Sequence, residues 1–148
     1  MRVWAFLLEF KMNESIDFAQ AYRNGINLFR NRVAEGAEID VVLSRLCDGL
    51  NTASYGELVC VVGCPYGRYP SEIKNVLLKR GENRIVRKIF EIELSQGGYP
   101  CIVKCGGWRK SVLNKNELEA ALAEALQSYS VVSKIYSLLT RGHEDTNT

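Results

Sequence analysis

Basic and aromatic side chains alternate through the middle of the chain, between positions 66 and 110. The basic residues expected to contact phosphates are Arg68, Lys79, Arg80, Arg84, Arg87, Lys88, Lys104, Arg109 and Lys110. The aromatic residues expected to offer stacking surfaces are Tyr66, Tyr69, Tyr99 and Trp108. Single-stranded nucleic acid is held by this combination, because cations follow the phosphates while unpaired bases stack on aromatic rings. The segment therefore predicts a single-strand binding surface, with a scattered and solvated set of charges as the alternative.

Two glutamates and a lysine offer a different chemistry. Glu91 and Glu93 point to the same side of one predicted strand, and Lys104 lies on the strand expected to pair with it. Carboxylates beside a lysine can hold a metal ion and orient water for attack on a phosphodiester. The solvated face of an amphipathic strand explains the same residues without a reaction. We expect no enzymatic activity, and a small metal-dependent nuclease is the alternative.

Other catalytic residue types are sparse. The only histidine is His143, close to the end of the chain. This position argues against a histidine general base, a Ser-His-Asp triad and most catalytic zinc sites. The glycine pairs at 97–98 and 106–107 are better explained as turns than as phosphate cradles. The sequence predicts no metal and no cofactor.

Five cysteines could fill the core, form disulfides or bind a metal. Cys60 and Cys64 are four positions apart, as are Cys101 and Cys105, and Cys47 is isolated. On a strand this spacing separates side chains by roughly 13 Å, which is too far for one zinc ion. A cross-strand disulfide would require the strands at 60–64 and 101–105 to be neighbours. We expect most of the five to be small buried apolar side chains.

Composition and charge set the class of protein. The 148 residues are 47% hydrophobic, as in one ordinary globular domain. The longest uncharged stretches, 58–67 and 94–103, are too short to cross a bilayer. Residues 66–115 carry eleven basic and four acidic side chains, whereas both flanks are net acidic. We therefore expect a cytoplasmic protein without membrane contact, whose basic middle third binds a polyanion.

Hydrophobic patterns predict four strands and four helices in the order β-α-α-β-α-β-β-α. The strands are expected at 3–10, 58–63, 84–94 and 99–105, with the last two forming a hairpin across 95–98. The helices are expected at about 13–36, 38–48 and 71–81, and from Asn114 or Asn116 to Leu139. Polar caps begin these helices and glycines end the first three. The prediction is one α+β domain around a mostly antiparallel sheet, with its core in residues 1–113.

The long C-terminal helix, within residues 114–140, carries a heptad-like seam. Its members keep a 4–3 spacing: Leu118, Leu122, Ala125, Tyr129, Val132, Tyr136 and Leu139. Such a seam is typical of coiled coils and predicts self-association, as a dimer or a tetramer. The alternative is a core helix that packs on its own sheet. The remaining residues, 141–148, are expected to be a disordered tail.

This layout resembles the ThermoDBP-type single-stranded DNA-binding proteins of hyperthermophilic archaea. The resemblance covers the order of elements from Val3 to Leu139, including the basic hairpin and the heptad-bearing C-terminal helix. It implies a four-stranded antiparallel sheet packed with helices, and a hydrophobic cleft flanked by basic residues that holds DNA. It also implies oligomerisation through the C-terminal helices. The resemblance assigns no binding residue to a numbered position of this chain.

The sequence thus predicts non-enzymatic binding of single-stranded nucleic acid, with little base preference because stacking tolerates any base. The pattern does not separate DNA from RNA, since a contact to a 2′-hydroxyl requires no particular composition. A protein-protein interaction module without a nucleic-acid role is the further alternative.

Overall fold

The computed structural model describes residues 15–63, 73–81 and 85–145, with side chains up to Thr140. The chain separates into two compact units, Met1–Asn31 and Arg32–Thr148. Three helices and five strands lie in the described ranges, and we number each kind in chain order. They are α1 (Phe18–Ala53), β1 (Leu58–Gly63), β2 (Ile73–Arg80), β3 (Val86–Ser95), β4 (Gly98–Cys105), β5 (Trp108–Val112), α2 (Lys115–Leu126) and α3 (Tyr129–Asp145).

The five strands form one antiparallel sheet in the order β1-β2-β3-β4-β5. Two sequence predictions are confirmed here, the strand at 58–63 and the hairpin that joins β3 to β4. The hairpin turns at Gln96 and Gly97, both with positive φ, as the tight turn between twisted antiparallel strands requires. The strand predicted at 3–10 lies outside the described residues.

The prediction of four strands and four helices is wrong, because the described residues form five strands and three helices. Residues 73–80, expected to be helical, form the second strand of the sheet, β2, in which buried Val76 and Leu78 alternate with less buried neighbours. The cap and stop residues around this segment indicated a helix, but pairing with β1 and β3 satisfies its backbone instead. The second difference is β5, an additional edge strand that follows the turn at Gly106 and Gly107.

A single helix, α1, replaces the two helices predicted at 13–36 and 38–48. Gly36 was interpreted as a stop, yet the helix continues through it. A β-carbon at Gly36 would lie 2.7 Å from the carbonyl oxygen of Gly97 in the β3–β4 turn. Glycine therefore allows the helix to approach this turn closely and does not end it.

The core lies on one face of the sheet, which we call the inner face. Strand residues such as Phe90, Ile92 and Val103 are fully buried there. All three helices contribute to the same cluster, for example through Leu43 of α1 and Leu118 of α2. Helix α2 packs against β4 and β5, and α3 packs against β2 and β3. The residues that alternate with the core side chains form the outer face.

The C-terminal helical region is two helices, which corrects the prediction of one continuous helix. The chain breaks at Gln127 and Ser128, where the hydroxyl of Ser128 donates to the carbonyl of Ala125. Serine side chains compete for backbone groups in this way and favour helix ends. Asn114 begins α2 by accepting a hydrogen bond from the amide of Glu117. Helix α3 runs to Asp145, into the segment predicted as a disordered tail.

The break divides the seven seam residues between two environments. Leu118, Leu122 and Ala125 of α2 are buried in the core of this chain. Tyr129 and Val132 of α3 are 88% and 48% exposed, and Tyr136 is also exposed. Leu139 packs partly against the core. The α2 members of the seam are therefore core residues, and only the α3 members leave an exposed apolar surface.

None of the helices among the described residues is both long enough and apolar enough to span a membrane.

Candidate nucleic-acid interface

The outer face carries most of the predicted basic residues of strands β2 to β5 that the structure describes. Cross-strand partners lie on the same face, so the register places Leu77 beside Lys88, and Lys104 beside both Glu91 and Arg109. Lys79 follows on the same side of β2, two residues after Leu77. The apolar members of this face include Val61 and Ile102. The outer face is therefore an apolar surface interrupted by cations and by the carboxylates of Glu91 and Glu93.

A β-bulge determines which side of the sheet Lys88 faces. Val76 pairs with Phe90 and Leu77 pairs with Lys88, so Ile89 is the extra residue of β3. Ile89 is buried, although simple alternation along the strand would have placed it on the outer face. The bulge reverses the alternation, so Lys88 and not Arg87 lies on the outer face.

A cavity of about 230 Å³ opens where β3 extends beyond its pairing with β4. The pairing stops at Glu91 and Lys104, and β4 then turns into β5. Helix α3 contributes Lys134 to the wall of this gap. We call the site the lysine cavity, and its charged residues are Lys88, Glu91, Lys104 and Lys134.

The turn at Gly106 explains how α3 comes close to the cavity. Gly106 has a φ of +57°, and a β-carbon there would lie 2.7 Å from the hydroxyl oxygen of Ser130. Glycine is favoured at this position for both reasons. One helical turn after Ser130, the Nζ of Lys134 donates to the carbonyl of Lys88 at 3.2 Å.

Ion pairs partly neutralise the lysines of the cavity. The Nζ of Lys88 lies 3.2 Å from a carboxylate oxygen of Glu91, and the Nζ of Lys104 lies 3.6 Å from the other oxygen. Lys104 also contacts Glu93 at 2.8 Å, and this hydrogen bond and charge hold the pKa of Glu93 below its usual range. Three lysines and one glutamate are the charged residues that line the cavity, so their formal charges sum to a positive value.

Other predicted cations differ in their availability. Within the described ranges, Lys79, Arg87 and Arg109 form no ion pair, and Arg109 is exposed beside Lys104. Lys110 pairs with Glu124 of α2 at 3.1 Å. Arg80 donates to the carbonyl of Leu139 in α3. Arg109 is therefore better placed than Lys110 or Arg80 to meet a ligand phosphate.

The predicted aromatic residues do not form a stacking surface in the described part of the chain. Tyr99 is 8% exposed, and its hydroxyl donates to Glu38 of α1 at 3.3 Å. Burial and the nearby Glu38 carboxylate raise the pKa of Tyr99. Trp108 is half-buried and packs against the core. Tyr66, Arg68, Tyr69 and Arg84 lie outside the described residues.

The structure brings together the carboxylates and the lysine that suggested a nuclease, since Lys104 lies opposite Glu91 and also contacts Glu93. Both carboxylates form ion pairs with lysines: Glu91 with Lys88 and Lys104, and Glu93 with Lys104. Among residues 15–63, 73–81 and 85–145, no three His, Cys, Asp or Glu side chains lie close enough together to hold a metal ion.

Lys134 is the cavity residue that sequence reasoning missed. It lies on α3 outside the predicted seam, and it is 46 positions from Lys88. Its only distinguishing feature in the sequence is that it is one of two basic residues among 116–148.

The cysteines also occupy unexpected positions. Strands β1 and β4, which a disulfide between 60–64 and 101–105 would have to join, are separated by β2 and β3. Cys60 instead meets Cys47, the cysteine that was isolated in the sequence. Cys47, Cys60, Cys101 and Cys105 are all buried, as expected.

No family model, curated protein or solved structure matches the chain.

Proposed function

We propose that the protein binds single-stranded nucleic acid without catalysing a reaction, and that the lysine cavity holds a phosphate of the strand. The observation that carries the proposal is the convergence of Lys88, Lys104 and Lys134 on one cavity of about 230 Å³. Lysines from two strands and a helix line the same cavity, and ammonium groups supply the charge-assisted hydrogen bonds that hold an anion.

The surroundings of the cavity support a chain of phosphates as the ligand. Arg109 of β5 lies next to Lys104, and Lys79 of β2 lies on the same outer face. These cations extend the positive surface beyond the cavity, along the path that a neighbouring phosphate would take. Leu77 and Ile102 lie between the charges, and half-buried apolar side chains can contact the faces of unpaired bases. In a duplex these faces are stacked, so the apolar surface favours a single strand.

We further propose that copies of the chain associate through the exposed side of α3. Tyr129, Val132 and Tyr136 recur at helical spacing and are the exposed part of the predicted seam. A dimer or tetramer would repeat the lysine cavity along one strand. The ThermoDBP resemblance leads to the same expectation, and it stays a prediction.

Fluorescence anisotropy of a labelled single strand of about 20 nucleotides, compared with the same sequence as a duplex, tests the proposal. We expect tighter binding of the single strand, and a loss of affinity as salt is raised. The measurement is repeated with EDTA and with magnesium, and the strand is analysed for cleavage. Equal binding of both forms would reduce the site to a general basic patch. Magnesium-dependent cleavage would favour the nuclease, and no binding to either form would favour a protein partner.

A further inference from the structure

Two cysteine side chains from different elements face each other inside the protein. Cys47 lies near the C-terminal end of α1, Cys60 lies in β1, and their sulfur atoms are 2.6 Å apart. The side chains are 7% and 6% exposed. The two sulfurs are therefore in direct contact, and a small part of each residue remains open to solvent.

Backbone contacts hold the two cysteines in this position. The amide of Cys60 donates to the side-chain oxygen of Asn51 at 3.0 Å, and the amide of Leu58 donates to the hydroxyl of Ser54 at 3.1 Å. Asn51 and Ser54 lie at the end of α1, so both bonds fix the start of β1 against that helix. The contact between the sulfurs follows from this packing and not from the chance orientation of two mobile side chains.

The two thiols differ in their chemical character. The hydrogen bond from Cys60 lowers the pKa of Cys47, whereas the same bond and burial raise the pKa of Cys60. The thiolate is the nucleophile in cysteine oxidation, so Cys47 is the sulfur that attacks. Cys101 is a useful contrast, because burial alone raises its pKa to about 11.

We propose that Cys47 and Cys60 form a reversible disulfide, made by hydrogen peroxide and opened by small thiols. The Cys47 thiolate attacks peroxide, so that an S–O bond forms, the O–O bond breaks and hydroxide leaves to become water. The sulfur of Cys60 then attacks the sulfenic acid of Cys47. The S–S bond forms, the S–O bond breaks, and the leaving hydroxide takes the proton of Cys60 to give a second water. Two thiols lose two electrons, and one peroxide becomes two waters.

The disulfide would join the end of α1 to β1, the edge strand of the sheet. It closes a short loop between positions 47 and 60, and a bridge over about 15 residues restricts the unfolded chain substantially. The oxidised protein should therefore melt at a temperature about 5–10 °C above that of the reduced protein.

The test compares reduced protein with protein treated with a small excess of hydrogen peroxide. Both samples are quenched with acid, the free thiols are alkylated at neutral pH in denaturant with excess reagent, and the intact mass is measured. Alkylation should fall from five cysteines to three. A protease that cleaves after glutamate cuts at Glu57 and separates Cys47 from Cys60. The second peptide, 58–72, also contains Cys64, so fragmentation of the linked peptides in the mass spectrometer identifies the bridged sulfur. Dithiothreitol should restore five alkylated cysteines.

Substitutions identify the sulfurs that are required. Cys47→Ser and Cys60→Ser should each abolish the cross-link, whereas Cys64→Ser and the matched buried variant Cys101→Ser should retain it. Mapping of the unaltered protein gives the same answer if a variant fails to fold. Five alkylated cysteines after treatment, or a bridge between any other two cysteines, would overturn the proposal.

Discussion

The Nζ of Lys134 on α3 donates to the backbone carbonyl of Lys88 on β3 at 3.2 Å. This bond brings an ammonium group from the C-terminal helix to the place where β3 departs from β4. Without α3, the gap would carry only the lysines of the hairpin. The lysine cavity therefore depends on packing between the last helix and the sheet, which no local sequence pattern encodes.

Glu93 would compete with the proposed ligand for Lys104, because its carboxylate lies 2.8 Å from the ammonium group. Glu93→Gln should strengthen single-strand binding about threefold, since it removes one negative charge beside the site. Anisotropy titrations measure this change, and Glu124→Gln, which releases Lys110 instead, is the matched control. A nuclease that uses Glu93 predicts a different result, in which the same substitution abolishes magnesium-dependent cleavage.

The same ion pair gives a pH dependence of stability with a defined sign. The pKa of Glu93 is lowered in the folded protein, so the contribution of its ionised carboxylate is fully present above the unfolded value of about 4.3. It is lost as the pH falls through the lowered value. The difference in Tm between the unaltered protein and Glu93→Gln should therefore shrink below pH 4. A difference that stays constant across this range would contradict the pairing.

Trp108 should matter more for stability than for binding. It packs partly against the core, so Trp108→Ala should cost about 1–3 kcal/mol of unfolding free energy, which is less than for a fully buried tryptophan. Urea unfolding measures the cost. A stable variant whose single-strand affinity falls tenfold would instead restore Trp108 as a stacking residue.

The two halves of the predicted seam should respond differently to a charge. Leu122 is 3% exposed, so Leu122→Asp should unfold the protein, whereas Val132 is 48% exposed and Val132→Asp should leave it folded. We expect Val132→Asp to lower the mass measured by light scattering, because it places a charge on the proposed contact surface of α3. Folded Val132→Asp with an unchanged mass would exclude that surface.

Two glycines of α1 should respond to alanine with opposite signs. Gly49→Ala meets no atom within 4 Å and should stabilise the helix by about 0.5–1 kcal/mol. Gly36→Ala would bring a β-carbon within 2.7 Å of the Gly97 carbonyl, so it should lower Tm although the helix propensity improves. Thermal unfolding by circular dichroism compares the two variants. Stabilisation by both would show that α1 does not approach the hairpin turn.

Elements whose pattern follows local rules could be predicted from the sequence. β1 and the β3–β4 hairpin combine apolar strand residues with a glycine turn, and both lie where the pattern placed them. The misassigned segments involve residues whose role is decided by distant partners. Ser71 and Gly81 resemble helix boundaries, but residues 73–80 form strand β2 of the sheet. Gly36 resembles a helix stop, but a turn more than 60 positions away explains it.

The candidate site was predictable only in part. The pattern placed Lys104 on the strand that pairs with the strand of Glu91, and these two strands do pair. The register itself was not predicted, because it shifts between Leu94 and Ser95 and so sets Lys104 opposite Glu91. The bulge at Ile89 could not be read from alternation, although it decides that Lys88 faces outward. Tyr99 was expected to stack on bases, but the approach of α1 buries it. Each of these outcomes depends on tertiary packing.

The central claim is that the lysine cavity holds a phosphate of a single strand. Its most direct test compares Lys134→Gln with Lys115→Gln, which removes an exposed charge from α2 outside the cavity. Affinity for a labelled single strand is measured by anisotropy at several salt concentrations. We expect Lys134→Gln to weaken binding at low salt and to reduce the slope of log K against log salt by about 0.7, the loss of one phosphate contact. Lys115→Gln should change neither value, and equal affinities and slopes for both variants would contradict the claim.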